Sequence, residues 1–182
     1  DFEDEAAKFR KSVLDRATVY VGSRRGPSGA EQVAGTFANQ PDTDPALPDT
    51  QVWLRGLVGR AMAKVETPVT TSLAEVDREV ADAREAQNRW VATSPDERWK
   101  VLHRVADELV ARRDDLFVSM TQEASKTWAE ADLEINEAVD FARWYADRSL
   151  ELNELSGNGP DAAEFTPLGV IAVIPPWNFP VA

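Results

Sequence analysis

Residues 169 to 174 read GVIAVI, and this run constrains the fold more than anything else in the chain. It is apolar and largely β-branched, opened by a turn over Pro167 to Gly169 and closed by Pro175 and Pro176. That is the pattern of a buried strand over Val170 to Ile174. A strand cannot stand alone, because its N–H and C=O groups point sideways and need a neighbour to pair with. The rest of the 182 residues offers helical patterns and no such neighbour. The sequence is therefore expected to be cut from a larger fold that supplies the missing strands, and to be mostly α in itself.

The helices can be placed from capping chemistry. Ser72 with Glu75, and Ser94 with Glu97, form capping boxes, in which each side chain accepts from the other residue's backbone N–H. Pro95 strengthens the second, since the first helical position has no use for an N–H. These signals predict one helix from about Leu73 to Ala92 and another from Pro95 with an apolar stripe of Trp99, Leu102, Val105, Leu109 and Val110. A third is expected over Asp114 to Ala124, and a fourth from Ala129 to Leu155, broken by SGNGPD. Asp49 is expected to cap a helix through TQVWLRGLVGRAMAKV. Residues 1 to 21 carry a weaker helical pattern, and residues 22 to 49, rich in Gly, Pro, Ser and Asp, read as a linker or an arm lying on another surface. Residues 50 to 182 form the remaining unit.

Charge and composition narrow the function. A net charge of -12 repels phosphate backbones and anionic lipid surfaces, so nucleic acid and membrane are not expected as partners. The absence of cysteine excludes disulfides, thiolate metal sites and a cysteine nucleophile within these residues, and His103 alone does not make a histidine metal cluster. The chain opens on Asp1 with no basic and apolar signal region, which fits a cytoplasmic protein or a piece of one.

Two places carry candidate chemistry. Asn178 is set among Pro176, Trp177, Phe179 and Pro180, where an amide held in place is a donor suited to a developing oxyanion; it is equally a common turn residue that satisfies a neighbouring backbone group. Glu130, Glu134 and Glu137, spaced i, i+4, i+7, share a helix face and are suited to acid and base work or to attracting an ammonium group, while a solvated face explains them as well. His103 reads as a half-buried packing residue.

With PPWNFP, the GVIAVI run before it and EASKTWAEADLEINEAVDFARWYA upstream, the chain from about Phe37 to Ala182 resembles the aldehyde dehydrogenase superfamily. Within it the resemblance is to the L-glutamate γ-semialdehyde (1-pyrroline-5-carboxylate) dehydrogenases. The resemblance implies an α/β fold, of which these residues would be the N-terminal helices and first strand. It implies that Asn178 donates to the oxyanion, that Pro175, Pro176, Trp177 and Asn178 line the nicotinamide side of an NAD site, and that Phe179 and Glu137 line the aldehyde tunnel. It also implies a small-molecule aldehyde substrate, a homo-oligomer, and FAD only if a proline dehydrogenase domain precedes on the same polypeptide. The cysteine nucleophile, the glutamate base and the phosphate-binding turn of such enzymes have no match here, so these residues alone are expected to be inactive. The alternative is a helical interaction module whose IPPWNFPVA segment is a docking tail.

Overall fold

The computed structural model describes residues 1–15, 37–62, 69–70, 72–155, 163 and 165–182. Six helices occur among them: α1 (Phe2–Asp15), α2 (Pro48–Leu57), α3 (Leu73–Val91), α4 (Pro95–Ala111), α5 (Arg113–Glu123) and α6 (Trp128–Leu155). Both predicted capping boxes form, Glu75 N–H donating to Ser72 Oγ at 3.3 Å and Glu97 N–H to Ser94 Oγ at 3.2 Å. A third box, Thr127 with Glu130, starts α6, Thr127 N–H donating to Glu130 Oε2 at 2.8 Å.

The 28-residue α6 is the spine of the molecule. The helices α4 and α5 both pack along it. Its inward face is small or branched, with Ala131, Ile135, Val139 and Ala146 fully buried, and the opposing α4 contributes the fully buried Ala106. Small residues at the crossing let the two backbones approach closely, which is why α4 meets α6 through Ala106 and not through Val105 or Val110, both exposed. A core of Leu54, Leu57, Phe117, Val118, Met120, Ala131 and Ile135 joins α2, α5 and α6, with Trp53 edge-on to Phe117 at 5.3 Å between ring centroids.

Four expectations are corrected. The run over Val170 to Ile174 forms no strand, so the described residues are α and irregular and the α/β class is not realised among them; no described strand lies beside it to accept its hydrogen bonds. The helix expected to be capped by Asp49 instead starts at Pro48 with Leu47 as N-cap, and Asp49 sits in its first turn. Asp44 builds the turn before it, accepting Ala46 N–H at 2.9 Å, and Pro48 then enters at the first position, where its missing N–H costs nothing. That helix also ends at Leu57, short of the expected run to Val65, because Gly59 takes φ 77° and turns the chain away. Lastly, α6 starts at Trp128, one residue before Ala129, because Thr127 caps it. Of the predicted upstream segment over 1–21, α1 covers Phe2–Asp15 and has no buried residue, while residues 16–21 and much of the linker lie outside the described residues.

Candidate functional site

Two strips of chain meet α6, and both are held by its polar side chains. On one side, Asp132, Asn136 and Asp140, spaced by four, form a buried ladder that grips residues 39–43. Asp140 accepts from Asn39 Nδ2 and from the backbone of Gln40, each at 2.8 Å; Asp132 accepts from the backbone N–H and hydroxyl of Thr43 at 2.8 and 2.6 Å. Asn136 donates to the Pro41 carbonyl at 3.4 Å and accepts from Arg113 at 3.0 Å. Arg113 also pairs with Asp132, and burial draws its guanidinium below its ordinary range while Asp132 pulls the other way. Residues 39–43, at the end of the 22–49 segment, are thus bound along α6.

On the other side lies the segment that carries Asn178. Phe179 N–H donates to the Pro176 carbonyl at 3.1 Å, closing a tight turn with Trp177 and Asn178 at its two central positions. Pro175, Pro176, Trp177, Asn178 and Phe179 are all exposed, Trp177 to 82%. Asn178 thus lies in a turn closed by backbone, at an exposed position. Past the turn, the N–H groups of Val181 and Ala182 donate to Glu134 Oε1 at 2.6 and 3.2 Å, and the Lys126 ammonium lies 4.9 Å from the centroid of the Phe179 ring.

The three glutamates expected on one face do three different things. Glu130 caps α6, and its hydrogen bonds from the Thr127 hydroxyl and backbone hold its carboxyl below the usual range. Glu134 is 1% exposed, which rules out a solvated face at that position. Glu137 is exposed and lines an open groove of about 690 Å³ with Asn39, Gln40, Pro41, Asp42 and Phe141. Phe179 is not among the residues lining that groove. His103 stacks on Trp99 with ring centroids 3.9 Å apart, and both reach Asp147 Oδ1, a packing cluster between α4 and α6 as expected. The functional side chains that sequence reasoning missed are the gripping ladder and the Lys126–Glu134 pair. The ladder's i, i+4, i+8 spacing was visible, but its ligands lie 89 to 101 residues away.

Residues 60–182 match the aldehyde dehydrogenase family, and the chain belongs to it. More particularly, it is 38% identical over 112 residues to 1-pyrroline-5-carboxylate dehydrogenase of Bacillus pumilus, which covers 58% of this chain and 21% of that protein. Proline Utilization A (PutA) from Corynebacterium freiburgense superposes on the whole chain with a TM-score of 0.66 and 40% identity, over 17% of its own length. The 1-pyrroline-5-carboxylate dehydrogenase from Thermus with bound NAD shares the fold, with a TM-score of 0.65 over 82% of this chain and 36% of that one at 22% identity. This chain thus spans about a fifth of the curated relative's length. Among the described residues no helix is long and apolar enough to cross a membrane.

Proposed function

We propose that this chain is the N-terminal segment of an NAD-dependent dehydrogenase that oxidises L-glutamate γ-semialdehyde to L-glutamate in proline catabolism. Residues 50–182 are its helical entry into the catalytic fold, with 1–21 an upstream segment that holds α1 and 22–49 a linker or arm. The observation that carries the reading is the exposed turn from Pro176 to Phe179 that bears Asn178, in a chain whose family is aldehyde dehydrogenase. The relative from Bacillus pumilus supports the substrate. The PutA likeness supports proline catabolism, and would bring FAD only with a preceding proline dehydrogenase domain.

The chemistry assigns the turn a definite task. A thiolate from outside these residues adds to the aldehyde carbon and leaves negative charge on oxygen, and Asn178 Nδ2 donates to that oxygen. Loss of hydride from the same carbon gives a thioester, which water cleaves to the carboxylate and the free thiol. NAD supplies the hydride acceptor when bound. Pro175, Pro176, Trp177 and Asn178 fit it, because the stretch from Gly169 to Ala182 has no charged residue and presents proline rings and an exposed indole suited to a flat nicotinamide. Phe179 and Glu137 are assigned to the substrate path, Glu137 meeting the substrate's amino group.

The test uses the full-length protein with L-glutamate γ-semialdehyde, following NADH formation and titrating NAD separately. Asn178→Ala is expected to lower kcat about 10²–10³-fold with NAD affinity nearly unchanged. Near-normal kcat would return Asn178 to a turn residue. Oxidation of other aldehydes but not this one would overturn the substrate assignment.

A further inference from the structure

Glu134 is the most buried carboxylate in the described structure, and its two oxygens face different groups. Oε2 pairs with Lys126 Nζ, whose side chain is only 9% exposed. Oε1 takes the backbone N–H groups of both Val181 and Ala182, at 2.6 and 3.2 Å. Lys126 in turn stands 4.9 Å from the Phe179 ring, and Val181 packs against the core. One ion pair therefore touches the segment just after Asn178 at three residues.

We infer that Lys126 and Glu134 are a positioning pair that aims the Asn178 turn, an inference that rests on the dehydrogenase reading. The bond from Phe179 to Pro176 fixes the shape of the turn but not its direction, because both partners lie within it. Direction requires a tie to a rigid element, and Glu134 supplies it from the middle of α6. A carboxylate is suited to the task, since one oxygen accepts two converging N–H groups in charge-assisted bonds. Such a charge is tolerated in the interior only with a partner, and local geometry delivers one. Ser125 adopts φ 53° after α5, the Met120 carbonyl takes the N–H groups of both Ala124 and Lys126, and the Thr127 box then starts α6. Lys126 is thereby fixed eight residues before Glu134 and beside Phe179. Misaiming a catalytic donor by about 1 Å is enough to lose about 10²-fold in rate.

The experiment compares the full-length protein with three variants, measuring kcat with L-glutamate γ-semialdehyde, melting temperature, and hydrogen exchange at the Val181 and Ala182 amides. Lys126→Met with Glu134→Leu removes the tie without leaving a buried charge unpaired. This double variant is expected to keep its melting temperature, lose protection at the two amides, and lose about 10²-fold in kcat. Glu134→Gln keeps an acceptor and is expected to retain most of the protection and rate. With Asn178→Ala added, the double variant is expected to lose little more than Asn178→Ala alone, because the pair acts through that residue. Unprotected amides in the unmodified protein, full rate in the double variant, or a full further loss in the Asn178→Ala background would each overturn the inference. If the unmodified protein oxidises no aldehyde but the exchange pattern is as expected, the dehydrogenase reading fails and the tie stands.

Discussion

Ser125 and Asp132 are the residues at which single atoms matter most outside the turn. Ser125 is the one described non-glycine residue with positive φ, at 53°, and a side chain in that left-handed region costs roughly 1–2 kcal/mol. Glycine removes the clash but gains freedom in the unfolded chain, which offsets part of the benefit. Ser125→Gly is therefore expected to stabilise the protein by about 0.5–1 kcal/mol in chemical denaturation. A loss of stability would show that the hydroxyl contributes more than the backbone strain. Asp132 is the reverse case. It neutralises the Arg113 guanidinium and binds Thr43 twice, with side-chain exposures of 8% for Asp132 and 11% for Arg113. Asp132→Ala leaves that guanidinium buried without its carboxylate and is expected to cost about 3–5 kcal/mol. Faster proteolysis at residues 39–43 should accompany it, since their grip on α6 is lost. Replacing Arg113 and Asp132 together by leucine should cost much less, and denaturation of the single and double variants checks the difference.

At the level of elements, three capping boxes set where α3, α4 and α6 begin, and those of α4 and α6 make their helices sensitive to acid. The Ser94 backbone N–H, and then its hydroxyl, hold Glu97 below the usual carboxylate range, and Thr127 does the same for Glu130 through its hydroxyl and backbone. A carboxyl lowered in the folded state stabilises it above the ordinary glutamate value of about 4.3, and that contribution disappears as pH falls through the lowered value. The unmodified protein is therefore expected to melt above Glu97→Gln at pH 7, with the gap closing as pH falls through the lowered value of Glu97. A gap that does not narrow in acid would show that charge is not its source. These boxes were legible in the sequence because cap and partner are three residues apart, and Thr127 with Glu130 obeyed the same rule unrecognised. The start of α2 was misplaced because Asp44, Pro48 and Asp49 all compete to organise one turn. The turn around Asn178 was legible from its prolines. Glu134 was visible as a carboxylate but not as an anchor, since its ligands are 47 and 48 residues away and are backbone atoms that any sequence would provide.

The molecule as a whole leaves much of its apolar surface uncovered. Leu168, Val173 and Ile174 are 95%, 79% and 87% exposed, and residues 168–172 face α3 across an open groove of about 810 Å³. Residues 1–182 produced alone are expected to bind a hydrophobic dye such as ANS strongly and, lacking cysteine, to reduce no NAD with any aldehyde. Weak dye binding with a sharp cooperative melt would show that these residues are self-sufficient, and turnover surviving repurification would overturn the mechanism. The architecture also determines which kinds of change it can absorb. Asp132, Asn136 and Asp140 reach the arm from one side of α6 while Glu134 reaches the Asn178 segment from another, so a single helix fixes the angle between the two strips. One residue inserted between Asp132 and Asp140 would turn everything beyond it by about 100° and shift it about 1.5 Å along the axis. The arm would then be held at one end only. Within those two turns, side chains are free to vary only where they touch neither strip and take no part in the buried core, and the number of residues is not free at all.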